Sequence, residues 1–144
     1  MTTGATADPR PLPLPDDVSA FYWDGARARR LLLQRCLRCS KLQYPPDVAC
    51  VHCQSEELEP SEVSGRGRLW SYTVVDRVFH AGFADTVPYV VALIELEEED
   101  GLRILTNIVD ASPEDLRVGM AVEVTFEDRG DVVLPQFRPA VASS

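Results

Sequence analysis

Two short cysteine turns, Cys36-Leu37-Arg38-Cys39 and Cys50-Val51-His52-Cys53, stand ten residues apart and contain every cysteine of the chain. Each Cys-x-x-Cys turn aims two thiolates to one side of a tight bend. Two facing turns therefore supply the four soft ligands of a tetrahedral Zn²⁺ site. With all four positions filled by sulfur, no place is left for an activated water, so the expected metal is structural and not hydrolytic. The filled cage would carry a formal charge of about −2. Arg35, Arg38 and Lys41 stand beside it in sequence, either to offset that charge or as ordinary solvated residues.

Two disulfides are the competing use of four cysteines. They need an oxidising compartment, and the chain opens with no basic segment, apolar run and small-residue cleavage site to route it there, so a cytoplasmic protein is expected. Iron is the competing metal, since electron carriers of the rubredoxin type use similar spacing. Their knuckles usually carry Gly after the second Cys, where φ is positive, whereas Ser40 and Gln54 occupy those places here, which weakens the redox reading. His52 is read as a neighbour of the cage and not a ligand, because Cys53 completes its knuckle.

Residues 1–15 are rich in Pro, Thr and Ala without apolar periodicity and read as a disordered tail. A short amphipathic helix is predicted from Asp17 to Arg29, capped by Asp16 and Asp17. Leu31-Leu32-Leu33-Gln34-Arg35 runs into the first knuckle as a strand, and Tyr44-Pro45-Pro46 must be extended and edge-like. The helix and zinc ribbon are assigned to residues 16–60. From residue 61 to 139 the pattern is β, with strands predicted at 68–75, 89–96, 102–109 and 122–127, and a helical turn over Ser112–Met120. About five strands with one helical turn before the last fit a small closed barrel of the OB type, followed by a tail at 140–144. The fold class is therefore mainly β: an N-terminal helix, a rubredoxin-like zinc ribbon and a five-stranded OB barrel.

Charge divides unevenly: residues 1–60 sum to −1, and residues 61–144 to −8 of the total −9. An acidic barrel repels a phosphate backbone, so the nucleic-acid role common among zinc ribbons and OB barrels is not expected, although Trp70 and Tyr72 could act as stacking platforms. The run Glu97-Glu98-Glu99-Asp100 is read as a solvated loop. No apolar stretch approaches the ~20 residues of a bilayer crossing.

The order of these motifs resembles a known family. Phe21-Tyr22-Trp23 on a helix precede Cys36-x-x-Cys39, and Pro45-Pro46 precede Cys50-x-x-Cys53. Then follow Ser64-Gly65-Arg66-Gly67, Pro88-Tyr89-Val90-Val91-Ala92, Val118-Gly119-Met120-Ala121-Val122 and Phe137-Arg138-Pro139. Over about residues 17–139 the chain is similar to the acyl-CoA-associated family in which a rubredoxin-like zinc ribbon is joined to an OB-fold, long catalogued as a domain of unknown function. The resemblance implies an accessory subunit without catalytic residues of its own. Its partner would be a thiolase-like enzyme, such as a lipid-transfer-type thiolase or an aldolase that shortens steroid side chains, or a hot-dog-fold enoyl-CoA hydratase. A coenzyme A thioester would then be a ligand of the complex.

Within that picture, Phe21, Tyr22 and Trp23 are candidates for the partner interface. Consecutive helical residues point about 100° apart, so one ribbon cannot easily bury all three. Phe79, His80 and Phe83 form a second candidate apolar cluster in a loop, where His80 with Asp85 is also the one acid/base pair open to an independent enzyme. Arg66, Arg68 and Arg77 are candidates for a coenzyme A phosphate, beside Gly65 and Gly67, which alternatively serve only the turn into the first barrel strand.

Overall fold

In the computed structural model, which describes residues 13, 16–77, 82 and 88–140, the chain enters its first helix through a turn closed reciprocally by Asp16 and Ser19. The Asp16 carboxylate accepts the Ser19 N–H at 2.8 Å, and the Ser19 hydroxyl oxygen accepts the Asp16 N–H at 3.2 Å. The Ser19 donors hold the Asp16 carboxyl below its ordinary range. Residues 17–19 form a turn, so helix α1 is regular only over Ala20–Arg27, shorter at both ends than predicted. Tyr22 is buried, edge-on to Trp23 at 4.9 Å between ring centres and 5.8 Å from Tyr44. Phe21 and Trp23 are half-buried against the same core.

The ribbon sheet has the order β2–β1–β3, all antiparallel, from β1 (Leu32–Cys36), β2 (Leu42–Gln43) and β3 (Leu58–Glu62). Strand β2 ends just before Tyr44-Pro45-Pro46, as an edge strand meeting two prolines should. The closed barrel runs β4–β5–β6–β8–β7, from β4 (Arg66–Val75), β5 (Tyr89–Leu96), β6 (Arg103–Ile108), β7 (Ala121–Arg129) and β8 (Val132–Pro139). Strand β5 shows strict alternation, with Val90, Ala92, Ile94 and Leu96 buried inside and their neighbours turned outward.

Two sequence expectations are corrected here. The short helical turn, a 3₁₀ turn at Pro113–Asp115, precedes the penultimate strand and not the last. The unassigned last strand is β8, whose Pro135 and Pro139 disguise it. Those prolines are tolerated because β8 meets β6 through a single register pair, Ile108 with Phe137, so most of that side demands no N–H donors.

Barrel closure explains the Gly65-Arg66-Gly67 motif. A Cβ at Gly67 would stand 2.4 Å from the Glu95 carbonyl oxygen, and Gly65 holds φ +80 with Val124 packed against it. These glycines fix a close approach of strands and do not act as a flexible hinge.

Ribbon and barrel share one continuous core, in which Tyr22, Leu31, Leu33 and Leu42 join Leu69, Ile94, Val122 and Phe137. The acidic run, expected as a solvated loop, has Glu97, Glu98 and Asp100 exposed, and its Glu99 reaches the ribbon. Glu97 pairs with Arg66 at 3.0 Å, Glu98 accepts the Ser64 N–H at 2.7 Å, and Glu99 accepts the Leu42 N–H of the ribbon at 3.2 Å. The Ser64 hydroxyl and Arg66 hold the Glu97 carboxyl below its ordinary range.

Truncating the fully buried Phe137 to Ala should cost about 3–5 kcal/mol in chemical denaturation. Tyr22 gives a pH test: burial, then Tyr44, raise its folded-state pKa. Its neutral form therefore contributes stability that is complete below the unfolded value of about 10 and lost as pH rises above it. Thermal melts of the wild type should fall more steeply above about pH 10 than those of Tyr22→Phe.

Candidate metal centre

Each knuckle is built from the same backbone hydrogen bonds. In the first, the Ser40 N–H returns to the Cys36 carbonyl at 2.9 Å and the Cys36 N–H reaches the Lys41 carbonyl at 2.9 Å. In the second, Gln54 N–H to Cys50 carbonyl is 2.8 Å and Cys50 N–H to Ser55 carbonyl is 2.7 Å. Ser40 and Gln54 both take φ 67, the left-handed conformation that Gly adopts freely. The absence of glycine at these places is expected to weaken the redox alternative; since the backbone takes the glycine-type turn without it, that absence does not separate iron from zinc. The turn imposes the conformation on these residues at a cost of order 1 kcal/mol each.

The four sulfurs converge. All lie within 4.8 Å of one another, with Cys36 Sγ to Cys53 Sγ at 3.6 Å and Cys39 Sγ to Cys50 Sγ at 3.7 Å. A tetrahedron with metal–sulfur bonds of about 2.3 Å has edges of ~3.8 Å, so the spacing fits a four-coordinate thiolate site. Among the described residues, no disulfide is formed and no other side chain joins this cluster. His52 is exposed and outside it, as expected.

Electrostatics shows why these sulfurs favour a cation. The N–H of Cys39, then that of Arg38, pull the Cys36 thiol down to about 6 against the effect of burial. The N–H of Ser55 favours the Cys53 thiolate, but the crowding Cys36 sulfur, burial and the other two sulfurs prevail and push this thiol up to about 11. Within each contacting pair one thiol ionises readily and the other resists. A divalent cation at the centre removes that conflict by favouring all four thiolates together. Backbone donors already face the sulfurs: Arg38 and Cys39 N–H to Cys36 Sγ at 3.4 Å each, and His52 N–H to Cys50 Sγ at 3.3 Å.

The basic residues divide between their two readings. Arg38 turns its guanidinium to Glu57 at 3.3 Å, and Arg35 donates to the Ser40 carbonyl at 2.7 Å, bracing the first knuckle. Two buried glutamines escaped sequence reasoning. Gln34 and Gln43 face each other across β1 and β2, and Gln43 Nε2 donates to Gln34 Oε1 at 2.8 Å. Gln34 Oε1 accepts the Asp47 N–H and Gln43 Oε1 accepts the Val51 N–H, both at 2.8 Å. They hold the loop that delivers the second knuckle. Their one sequence signal is a polar residue at an otherwise apolar position in each of two paired strands.

The other candidates disperse. Tyr22 is taken up by the core, while Phe21 and Trp23 keep part of their surface. Phe79, His80 and Phe83 lie outside the described residues. Arg66 and Arg68 line one cavity of about 370 Å³, together with Glu95, Glu97 and Asp100. Arg66 is paired there with Glu97, and Arg68 donates to the Gly119 carbonyl at 3.2 Å. Arg77 is exposed beyond the end of β4. No helix among the described residues is long and apolar enough to cross a membrane.

The same two modules are found in known proteins. Residues 23–59 match the rubredoxin-like zinc ribbon domain of ChsH2, and residues 61–127 match the C-terminal OB-fold domain of ChsH2. The chain is 41% identical over 133 residues, 92% of its length, to a probable enoyl-CoA hydratase alpha subunit of Thermomonospora curvata, but spans only 40% of that relative. It is 37% identical to a DUF35 domain-containing scaffold protein of Methanocaldococcus jannaschii, covering 88% of this chain and 94% of the other. It is 33% identical to the benzoylsuccinyl-CoA thiolase subunit BbsA of Thauera aromatica, covering 76% of each. Among solved structures, a chain of the Ltp2-ChsH2(DUF35) aldolase superposes with a TM-score of 0.80 at 39% identity, over 90% of this chain and 100% of that one. With both modules matched in order and near-complete overlap with such relatives, this chain belongs to the ChsH2/DUF35 family of zinc ribbons joined to an OB-fold.

Proposed function

We propose that this chain is the non-catalytic accessory subunit of a thiolase-superfamily enzyme, a lipid-transfer-type thiolase or retro-aldolase, that acts on acyl-CoA in steroid or sterol side-chain breakdown. The observation that carries this reading is the superposition on the whole of a ChsH2(DUF35) chain that belongs to an aldolase. A relative that is a subunit of a CoA-dependent thiolase and another described as a scaffold support the same division of labour. The hydratase relative extends well beyond the matched part, so it supports a hydratase partner less directly.

The metal in this reading is Zn²⁺, held by Cys36, Cys39, Cys50 and Cys53. When bound, it supplies charge for four thiolates and rigidity for the ribbon, and no open coordination position. Arg35, Gln34 and Gln43 then set where the two knuckles stand, and the shared core with the Glu97–Glu99 contacts sets where the barrel stands against them. The chain offers shape and contact, and its partner performs the chemistry. Of the candidate phosphate contacts, Arg66 and Arg68 line a common cavity with Glu95, Glu97 and Asp100, so a coenzyme A phosphate there would have to displace Glu97 from Arg66.

Cys36→Ser or Cys50→Ser should lose stoichiometric zinc by elemental analysis, and with it the thermal transition of the ribbon and the complex with the partner. A variant that lacks zinc yet co-purifies with a fully active thiolase-like enzyme would overturn the structural role. Gln43→Leu keeps all four ligands but removes the acceptor of the Val51 N–H and the donor to the Ala49 carbonyl, both part-buried contacts. It should cost about 1–3 kcal/mol and release zinc faster to a chelator, measured by metallochromic dye. Association tests the accessory role itself: recombinant chain should capture a thiolase-like enzyme, identified by mass spectrometry.

A further inference from the structure

The thiolate cage has a closed side and an open one. Cys36 and Cys50, the first cysteine of each knuckle, are 1% and 2% exposed, whereas Cys39 is half-buried and Cys53 is exposed. Only the second cysteines meet solvent. Both line an open cavity of about 460 Å³, with Arg38, Gln54, Ser55 and Glu57 around them, and neither Cys36 nor Cys50 belongs to it. A small molecule can therefore reach Cys39 and Cys53 while the fold stays closed over the other two sulfurs.

Each open sulfur also has a buried sulfur in contact, and the contact crosses between the knuckles. Cys53 Sγ stands 3.6 Å from Cys36 Sγ, and Cys39 Sγ stands 3.7 Å from Cys50 Sγ. A disulfide bond is about 2.05 Å long, so a closure of about 1.6 Å would join the first pair. With the metal bound all four sulfurs are thiolates, so access and not acidity ranks them, and Cys53 comes first. An accessible thiolate beside a resolving cysteine is the arrangement in which sulfur is oxidised reversibly.

We propose that Cys53 is a site of oxidation by hydrogen peroxide, resolved by Cys36, so that the zinc cage is also a redox-sensitive latch on the ribbon. The Cys53 thiolate attacks one peroxide oxygen: the S–O bond forms, the O–O bond breaks and hydroxide leaves. The Cys36 thiolate then attacks the Cys53 sulfur, forming the S–S bond as the S–O bond breaks and a second hydroxide leaves. Two sulfurs give up one electron each, and peroxide takes both. Peroxide is uncharged, so Glu57 at the rim and the net charge of −9 do not oppose its approach.

Only Cys39 and Cys50 then remain as thiolates, half of a four-coordinate set, so zinc is released and the ribbon loses its order. A dithiol reductant, itself oxidised to a disulfide in the exchange, returns both thiolates and lets the metal rebind. Under the accessory reading the same event frees the partner enzyme, but the chemistry belongs to the isolated chain and is tested there.

The test treats zinc-loaded, full-length chain with equimolar hydrogen peroxide, alkylates free thiols at successive times and maps the peptides by mass spectrometry, while a metallochromic dye reads released zinc. The Cys36–Cys53 disulfide should form first and in step with zinc release, and dithiothreitol with added zinc should restore the metal content. Cys53→His leaves three cysteines and a histidine, a set that also holds structural zinc, and should release it to peroxide about tenfold more slowly than wild type. Cys39→His, changed at the less accessible sulfur, should keep the wild-type rate. Should Cys53→His fail to hold zinc, the wild-type map decides alone. A first disulfide between Cys39 and Cys50, or within one knuckle, would overturn the proposal. So would zinc that stays bound after the peroxide is consumed, or a Cys53→His chain that releases zinc as fast as wild type.

Discussion

Four sulfurs crowded within 4.8 Å of each other cannot all ionise unless a cation stands between them, and the rest of the ribbon is arranged around that fact. The ribbon sheet has only three short strands, one of them two residues long, which is little with which to hold a loop in place. Backbone N–H groups aimed at Cys36 and Cys50 favour their thiolates, whereas at Cys39 and Cys53 burial and sulfur crowding outweigh the Lys41 and Ser55 N–H groups and disfavour the thiolate. Metal binding and ribbon order are therefore one event, and left-handed Ser40 and Gln54 are strain that this event holds in place.

That local order becomes useful because it is transmitted. Leu31, Leu33 and Leu42 lie in the same core as the barrel strands, so the ribbon cannot turn independently without exposing apolar surface. The glutamates of the β5–β6 turn add direction, each taking a different partner: Arg66, the Ser64 N–H and the ribbon's Leu42 N–H. Of the three, only the Leu42 N–H to Glu99 bond crosses between the modules, so it adds one directional tie to the shared core.

A rigid two-module body with a saturated metal site and no activated water is suited to holding another protein. The relatives fit that role, being described as a scaffold, as a benzoylsuccinyl-CoA thiolase subunit and as a chain of an Ltp2-ChsH2(DUF35) aldolase. In this scheme the acidic barrel is not a handicap. Its net negative charge works against a nucleic-acid backbone.

The metal ligands and most strands were legible in the amino-acid order because their signals are local. A Cys-x-x-Cys turn needs only four residues, and alternation of apolar and polar residues writes β5 from Tyr89 to Leu96 without reference to the rest of the fold. Strand β8 was not legible, since its prolines speak against a strand and only its near-edge position in the barrel tolerates them. Nor were the roles of Gln34, Gln43 and the glutamate run, which depend on groups brought together from up to 57 residues away. Of Phe21, Tyr22 and Trp23 the order of residues says only that one helix cannot cover all three. That Tyr22 is the one buried follows from how α1 rests against Tyr44 and the shared core. The sequence by itself determined the chemistry of the cage and the alternation of the strands, because both reside in neighbouring residues. Which side chains lie inside, and which cation meets which carboxylate, only the tertiary structure decided, because burial and pairing are properties of distant segments in contact.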